Sequence, residues 1–196
     1  MAEPLSPPSK FAKKLASIAQ DQFDRFHLIH EADPPLSGQI KKYWTTLGFD
    51  FPGVQVAWSA VFVSFCVKTA GATADEFKFA EAHSTFIHQA IANAQGHTGV
   101  FQGFKVTDQA VGIGDILQNN RGGHKFDFDF ARTHANYESH SAIVVARGED
   151  LRGPFAMTVG GNESDSVRMK RIILNADGTV KQRVDSPFIC LVKNLK

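Results

Sequence analysis

Ser59 lies at the head of the run Trp58-Ser-Ala-Val-Phe-Val-Ser-Phe-Cys-Val-Lys-Thr-Ala-Gly71. Nearly every position from Trp58 to Val67 is apolar or small, so a helix here has no polar face and is expected to be buried on all sides. The first turn of a helix has unpaired N–H groups, which stabilise an anion. A serine at that point attacks a carbonyl only if a base removes its proton, because serine has no useful alkoxide at neutral pH. The best-placed base is His140, in Glu138-Ser-His-Ser-Ala-Ile-Val-Val145, at the mouth of an apolar strand, where it is expected to face a helix start. His83, in Phe79-Ala-Glu-Ala-His-Ser-Thr-Phe86, stands at another helix start. It is read as lining the cleft, as the base in place of His140, or as a capping or core residue. The plainer alternative for Ser59 is a helix-start residue that satisfies a backbone N–H in an inactive site.

Supporting groups surround these candidates. The N–H of Ser59 is one candidate oxyanion donor and the side chain of Gln55 a second. Glu138, Glu163 and Asp165 are acidic groups able to orient a histidine, and Glu138, two residues from His140, shares its side if the stretch is extended. Trp58, next to Ser59, and Tyr43, on a preceding helix, complete the set. His124, Asp127, Asp129 and His134 could ligate an ion but form no compact motif such as His-Glu-x-x-His, so neither a metal nor a cofactor is expected.

The elements that must position these groups follow from periodicity. Phe11, Leu15, Ile18, Phe23, Phe26 and Ile29 recur at helical spacing over Lys10 to Glu31, and Asp33-Pro34-Pro35 ends that helix. A shorter helix is expected over Ser37 to Leu47, the central helix after the Phe51-Pro52-Gly53 turn, and another over Ala80 to Ala94. Thr73-Ala-Asp-Glu76 reads as a capping box. From Val100 onward short β-prone runs take over, at residues 114–117, 141–146, 155–159, 167–174 and 187–192, and Asn175-Ala-Asp-Gly178 is a hairpin turn signal. The alternation of Phe126, Phe128 and Phe130 reads as a strand or packed loop, with a flap over the site as the other option. Helices first and an antiparallel sheet afterwards describe an α+β domain over residues 10–196, behind a loose proline-rich arm at residues 1–9.

Composition narrows the function classes. With 196 residues and 43% hydrophobic content the chain can bury one substantial core. A balance of 21 Lys plus Arg against 20 Asp plus Glu gives no argument for nucleic acid or an anionic membrane surface. The two cysteines, Cys66 and Cys190, fall in apolar runs and read as buried thiols. No stretch approaches the ~18 apolar residues of a membrane span, and the N-terminal residues lack the apolar core of a signal peptide. The expectation is a chain made in the cytoplasm that, if it acts in a periplasm or on a cell wall, must reach it by lysis, a phage particle or a dedicated secretion system.

The wording Trp58-Ser-Ala-Val-Phe-Val-Ser-Phe, with Lys68-Thr-Ala-Gly71, resembles the Trp-Cys-Ala-x-Phe-Val segment of NlpC/P60 and CHAP-type cell-wall peptidases, with Ser59 at the position of the catalytic cysteine. Gly114-Asp115-Ile-Leu followed by the strand-leading His140 matches that pattern in order. The ending Gly160-Gly161-Asn162 resembles that of CHAP-like amidases, and the resemblance makes Asn162 the residue that orients His140. With Ser in place, and with Ala82-His83-Ser, the wording more closely resembles the bacterial DUF2272 family, taken as a relative of that group. The resemblance implies a papain-like fold and a Ser59–His140–Asn162 hydrolase that cleaves an amide, in peptidoglycan peptides or another peptide substrate. It also implies phage, secretion-machine or immunity-protein partners. An inactive domain that binds a wall peptide or protein, and an esterase or acyltransferase on the same triad, are the alternatives.

Overall fold

The computed structural model describes residues 7–196; residues 1–6, most of the expected loose arm, lie outside them. Helix α1 (Lys10–Phe26) starts where Ser9 accepts a hydrogen bond from the Ala12 N–H at 3.0 Å. It ends five residues before the expected Glu31, because residues 27–31 turn away to bond a distant loop at residues 165–168. Helix α2 (Leu36–Leu47) stops at Gly48, whose φ of 85° is the left-handed C-cap that glycine adopts without strain.

Helix α3 (Ser59–Ala70) is the expected central helix. Every residue from Ser59 to Val67 is buried, since α1 and α2 pack on one side of it and the sheet on the other. Helix α4 (His83–Gly96) begins three residues later than its periodicity predicts. Ser64 of α3 explains the delay: its hydroxyl bonds both the N–H and the C=O of Ala80, each at 3.1 Å, and holds that residue outside the helix. The Thr73–Glu76 signal makes a turn in which Glu76 accepts from the Thr73 N–H at 2.8 Å.

Among the described residues the sheet has six antiparallel strands: β1 (Phe101–Phe104), β2 (Ile116–Asn120), β3 (Ser139–Asp150), β4 (Gly153–Gly160), β5 (Arg168–Ile173) and β6 (Phe188–Asn194), in the order β1-β6-β2-β3-β4-β5. Five of these overlap the β-prone runs, although β2 shares only residues 116 and 117 with the run at 114–117. The edge strand β1 was not among them, as four residues interrupted by Gly103 carry too short a pattern. The turn at residues 175–178 forms, with the Asn175 N–H donating to Thr179 O at 2.8 Å and a single bridge between Leu174 and Val180, but β5 and β6 on either side of it lie apart in the sheet and do not pair as a hairpin.

One expectation is corrected. Residues 128–133 form a short helix, α5 (Phe128–Thr133), not a strand or loop, because Asp127 caps it by accepting from the Phe130 N–H at 2.8 Å. Phe126, Phe130 and His134, four residues apart, stack with ring centroids 4.2 and 3.9 Å apart, so a spacing of four prevails over the two-residue alternation.

Alternation along the strands divides the core. Ile116, Ile143 and Val159 face the helices, whereas Leu117, Val144 and Ala156 join a second cluster on the far face with Val106, Val111 and Val180. Cys66 and Cys190 are buried free thiols. Among the described residues no helix is long and apolar enough to cross a membrane.

Candidate active site

Two helix starts meet at the centre of the molecule. Ser59, the first residue of α3, directs Oγ to Nε2 of His83, the first residue of α4, at 2.7 Å. Its hydroxyl is therefore engaged with an imidazole. Phe62 is the first residue of α3 whose N–H closes a helical bond, to Trp58 O at 3.0 Å, so the donors before it remain the open end of the helix.

His83 is held neutral. Burial pushes its pKa well below the ordinary histidine value, and the charges of His140 and Arg121 push the same way. The positive end of α4 opposes a cation at that point as well. Nδ1 is buried without a hydrogen-bond partner among the described residues, while Nε2 faces the serine. In the tautomer with the proton on Nδ1, Nε2 accepts from the Ser59 hydroxyl, the arrangement a general base requires.

His140 lies one ring further out, its centroid 5.3 Å from that of His83 at an interplanar angle of 65°. Its Nε2 is 2.7 Å from Glu163 Oε1, and the Lys170 ammonium makes an ion pair with Glu163 Oε2 at 2.6 Å. Burial raises the Glu163 carboxyl, but the hydrogen bonds and charges of His140 and Lys170 outweigh it, leaving a carboxylate below its ordinary pKa. The close packing needs Gly160, where an added Cβ would meet His140 Nε2 at 2.9 Å.

The other sequence candidates fall in different places. Asn162, expected beside His140, donates instead to Glu31 Oε2 at 2.8 Å, and Glu163, one of the acidic alternatives, takes the place next to the imidazole. Glu138 is exposed and pairs with Arg121 at 3.7 Å. Asp165 faces solvent near His30, 3.8 Å away. Gln55 stays exposed in the turn before α3, and its side chain has no hydrogen bond among the described residues. Tyr43 donates to Gln22 at 2.9 Å behind the Trp58 ring, and the Trp58 indole donates to Glu31 at 2.8 Å. Asp115 anchors β2 to β6 through Lys193 and the Asn194 N–H, and burial pushes its carboxyl up against the pull of Lys193. His124, Asp127, Asp129 and His134 do not converge, since Asp127 caps α5 and Asp129 pairs with Lys105 and Arg132.

Glu31 and Lys170 join the site without any sequence signal that singled them out. Glu31 lies in the linker after α1, beyond its amphipathic pattern, and Lys170 reaches Glu163 through the pairing of Lys170 with Thr158 across β4 and β5. His140 and Glu163 line a polar cleft of about 300 Å³ together with Asn119, Arg121, Asn162 and Lys170. Ser59 and His83, 3% and 6% exposed, lie behind it and do not line it. A larger cavity of about 500 Å³ opens elsewhere, near Ala12, Arg147 and Leu195, and no histidine lines it.

Helices against a six-stranded antiparallel sheet, with Ser59 and His83 paired behind a polar cleft that His140 lines, define an α+β protein with an internal polar site among the described residues. Residues 33–189 match the family model described as an uncharacterized protein conserved in bacteria (DUF2272), and the chain belongs to that family. No curated protein and no solved structure matches the chain.

Proposed function

We propose that this protein is a hydrolase that cleaves an amide bond through Ser59, with His83 as its base. The observation that carries the reading is the 2.7 Å contact between Ser59 Oγ and His83 Nε2 at the open end of a buried helix. In the reaction Ser59 Oγ attacks the carbonyl carbon while its proton passes to His83 Nε2. The oxyanion forms against the first-turn N–H groups of α3. His83 then protonates the amine as the C–N bond breaks; in the second half it takes a proton from the water that attacks the acyl carbon and returns it to Ser59 Oγ as the acyl–Oγ bond breaks. His140, fixed by Glu163, stands on the cleft side of His83 and supports it.

Several features favour a papain-like, NlpC/P60-type assignment and peptidoglycan peptides as the substrate class. The candidate nucleophile starts a buried helix, a histidine leads an antiparallel strand, and a polar residue follows the next strand. On this reading the protein is a wall-lytic enzyme or effector, delivered by lysis, phage or a secretion system, and an immunity protein is a fitting partner. The polar lining of the cleft suits a peptide. An ester or acyl-transfer substrate would use the same groups.

A second reading has its own support. Since the cleft is lined by His140 and Glu163 and not by Ser59, the family fold here would bind a wall peptide or a protein partner without cleaving it. Digestion of purified peptidoglycan and of a small aryl ester, followed by mass spectrometry, separates these readings. Products formed by the wild type and lost in Ser59→Ala and His83→Ala are expected for the hydrolase. Retention of peptidoglycan by both variants and wild type, with no product from any, supports the binding domain.

A further inference from the structure

We propose that Glu31 is a positioning residue that sets both halves of the site at once; this rests on the reading of Ser59 as the nucleophile. A single oxygen, Glu31 Oε2, accepts the indole N–H of Trp58 at 2.8 Å and the amide N–H of Asn162 at 2.8 Å. Trp58 immediately precedes Ser59, and Asn162 immediately precedes Glu163, the partner of His140. The carboxylate comes from the linker between α1 and α2, so it joins the start of α3 to the loop after β4 across 27 and 131 residues of sequence.

The surroundings leave little freedom in either connection. Trp58 is fully buried, and an added Cβ at Gly161 would meet its ring at 2.6 Å, so the indole packs directly on the loop backbone. Asn162 holds a φ of 55°, in the left-handed region that asparagine enters more readily than most residues. The backbone N–H of Glu31 donates to Asp165 O at 2.7 Å, which locks the carboxylate to the same loop. Bonds from two N–H groups to one carboxylate are charge-assisted and strongly directional. Displacing Glu31 therefore moves the residue before the nucleophile and the residue before the histidine's partner together.

A control is available in the same strap. The single O–H of Ser166 is shared between Phe26 O at 2.9 Å and Ile29 O at 2.8 Å, joining the same two segments without a hydrogen bond to Trp58 or Asn162. The test compares wild type, Glu31→Ala, Glu31→Gln and Ser166→Ala by three readouts: Tm, the rate of fluorophosphonate labelling at Ser59, and the imidazole nitrogen NMR signals of His83 and His140. Glu31→Ala is expected to slow labelling roughly 10- to 100-fold, the size of a misplacement near 1 Å, and to shift the His140 signals. Glu31→Gln, whose amide oxygen still accepts both N–H groups, is expected to restore most of the rate. Ser166→Ala is expected to lower Tm with labelling and signals unchanged.

The proposal is overturned if Glu31→Ala behaves like Ser166→Ala, losing Tm alone. Should Glu31→Ala fail to fold, Trp58→Phe and Asn162→Gly each remove one donor, and wild-type rates and signals in both overturn it equally. A wild type that takes no label removes the hydrolase reading, while the His140 signals still decide the positioning role.

Discussion

Ser59 and His83 are each the first residue of a helix, and the 2.7 Å contact between them joins the starts of α3 and α4. Two positive helix ends therefore converge on one hydroxyl. This favours an anion there and disfavours a charged imidazole, which agrees in direction with the effect of burial on His83.

The acid limb of activity should reflect that depression. A base with a pKa well below 6.5 stays neutral as pH falls through 6.5, so the kcat/KM for ester or amide cleavage is expected to hold there and decline only at lower pH. The check is a pH–rate profile on the free enzyme. A limb with its midpoint at or above 6.5 would count against His83 as the base.

Stability should follow pH in two windows. The unfolded chain protonates His83 near 6.5 while the folded chain does not, so unfolding free energy is expected to fall as pH drops below 6.5. The slope from this one group is at most about 1.4 kcal/mol per pH unit. Glu163, lowered from 4.5, contributes stability that is full above 4.5 and is lost as pH falls through its lower folded value. Denaturant melts between pH 4 and 8 on wild type and His83→Phe test the upper window, which the variant should flatten.

The His140–Glu163 pair can be broken from either side. Glu163→Gln removes the charge facing both His140 and Lys170 and is expected to destabilise by about 1–3 kcal/mol. Gly160→Ala pushes a methyl group into the same contact, and overpacking of this kind costs about 1–3 kcal/mol. If urea melts of Gly160→Ala match wild type, the pair is not the tight contact seen here.

The native thiols should be silent. Cys66 and Cys190 are completely buried, and burial pushes both thiols far up. A disulfide reagent is expected to modify neither before unfolding and both after it. Ser59→Cys then adds one thiol beside His83, and alkylation of that position alone in the native protein would reveal an activating environment.

How much of this was legible in the sequence depended on the range of the signal. Local patterns marked α3, since an apolar run without a polar face has to be buried, and they placed His83 and His140 at a helix start and a strand start. The pairing of those groups was not local. Which histidine meets Ser59 is decided by the Ser64 bonds that delay α4 until His83, and which residue meets His140 is decided by the draw of Glu31 on Asn162. Glu31 and Asn162 are 131 residues apart, and no periodicity records such a contact. The Phe126–Phe130 alternation misled because a cap at Asp127 outweighs a two-residue pattern over so short a stretch.

The most direct measurement is intact-mass detection of covalent labelling by a fluorophosphonate on wild type, Ser59→Ala, His83→Ala and His140→Ala. Expected is one adduct on wild type, none on Ser59→Ala, a rate lower by about 100-fold or more on His83→Ala, and a smaller loss on His140→Ala. A folded wild type that stays unlabelled, or a Ser59→Ala protein that still takes the adduct, contradicts an activated Ser59.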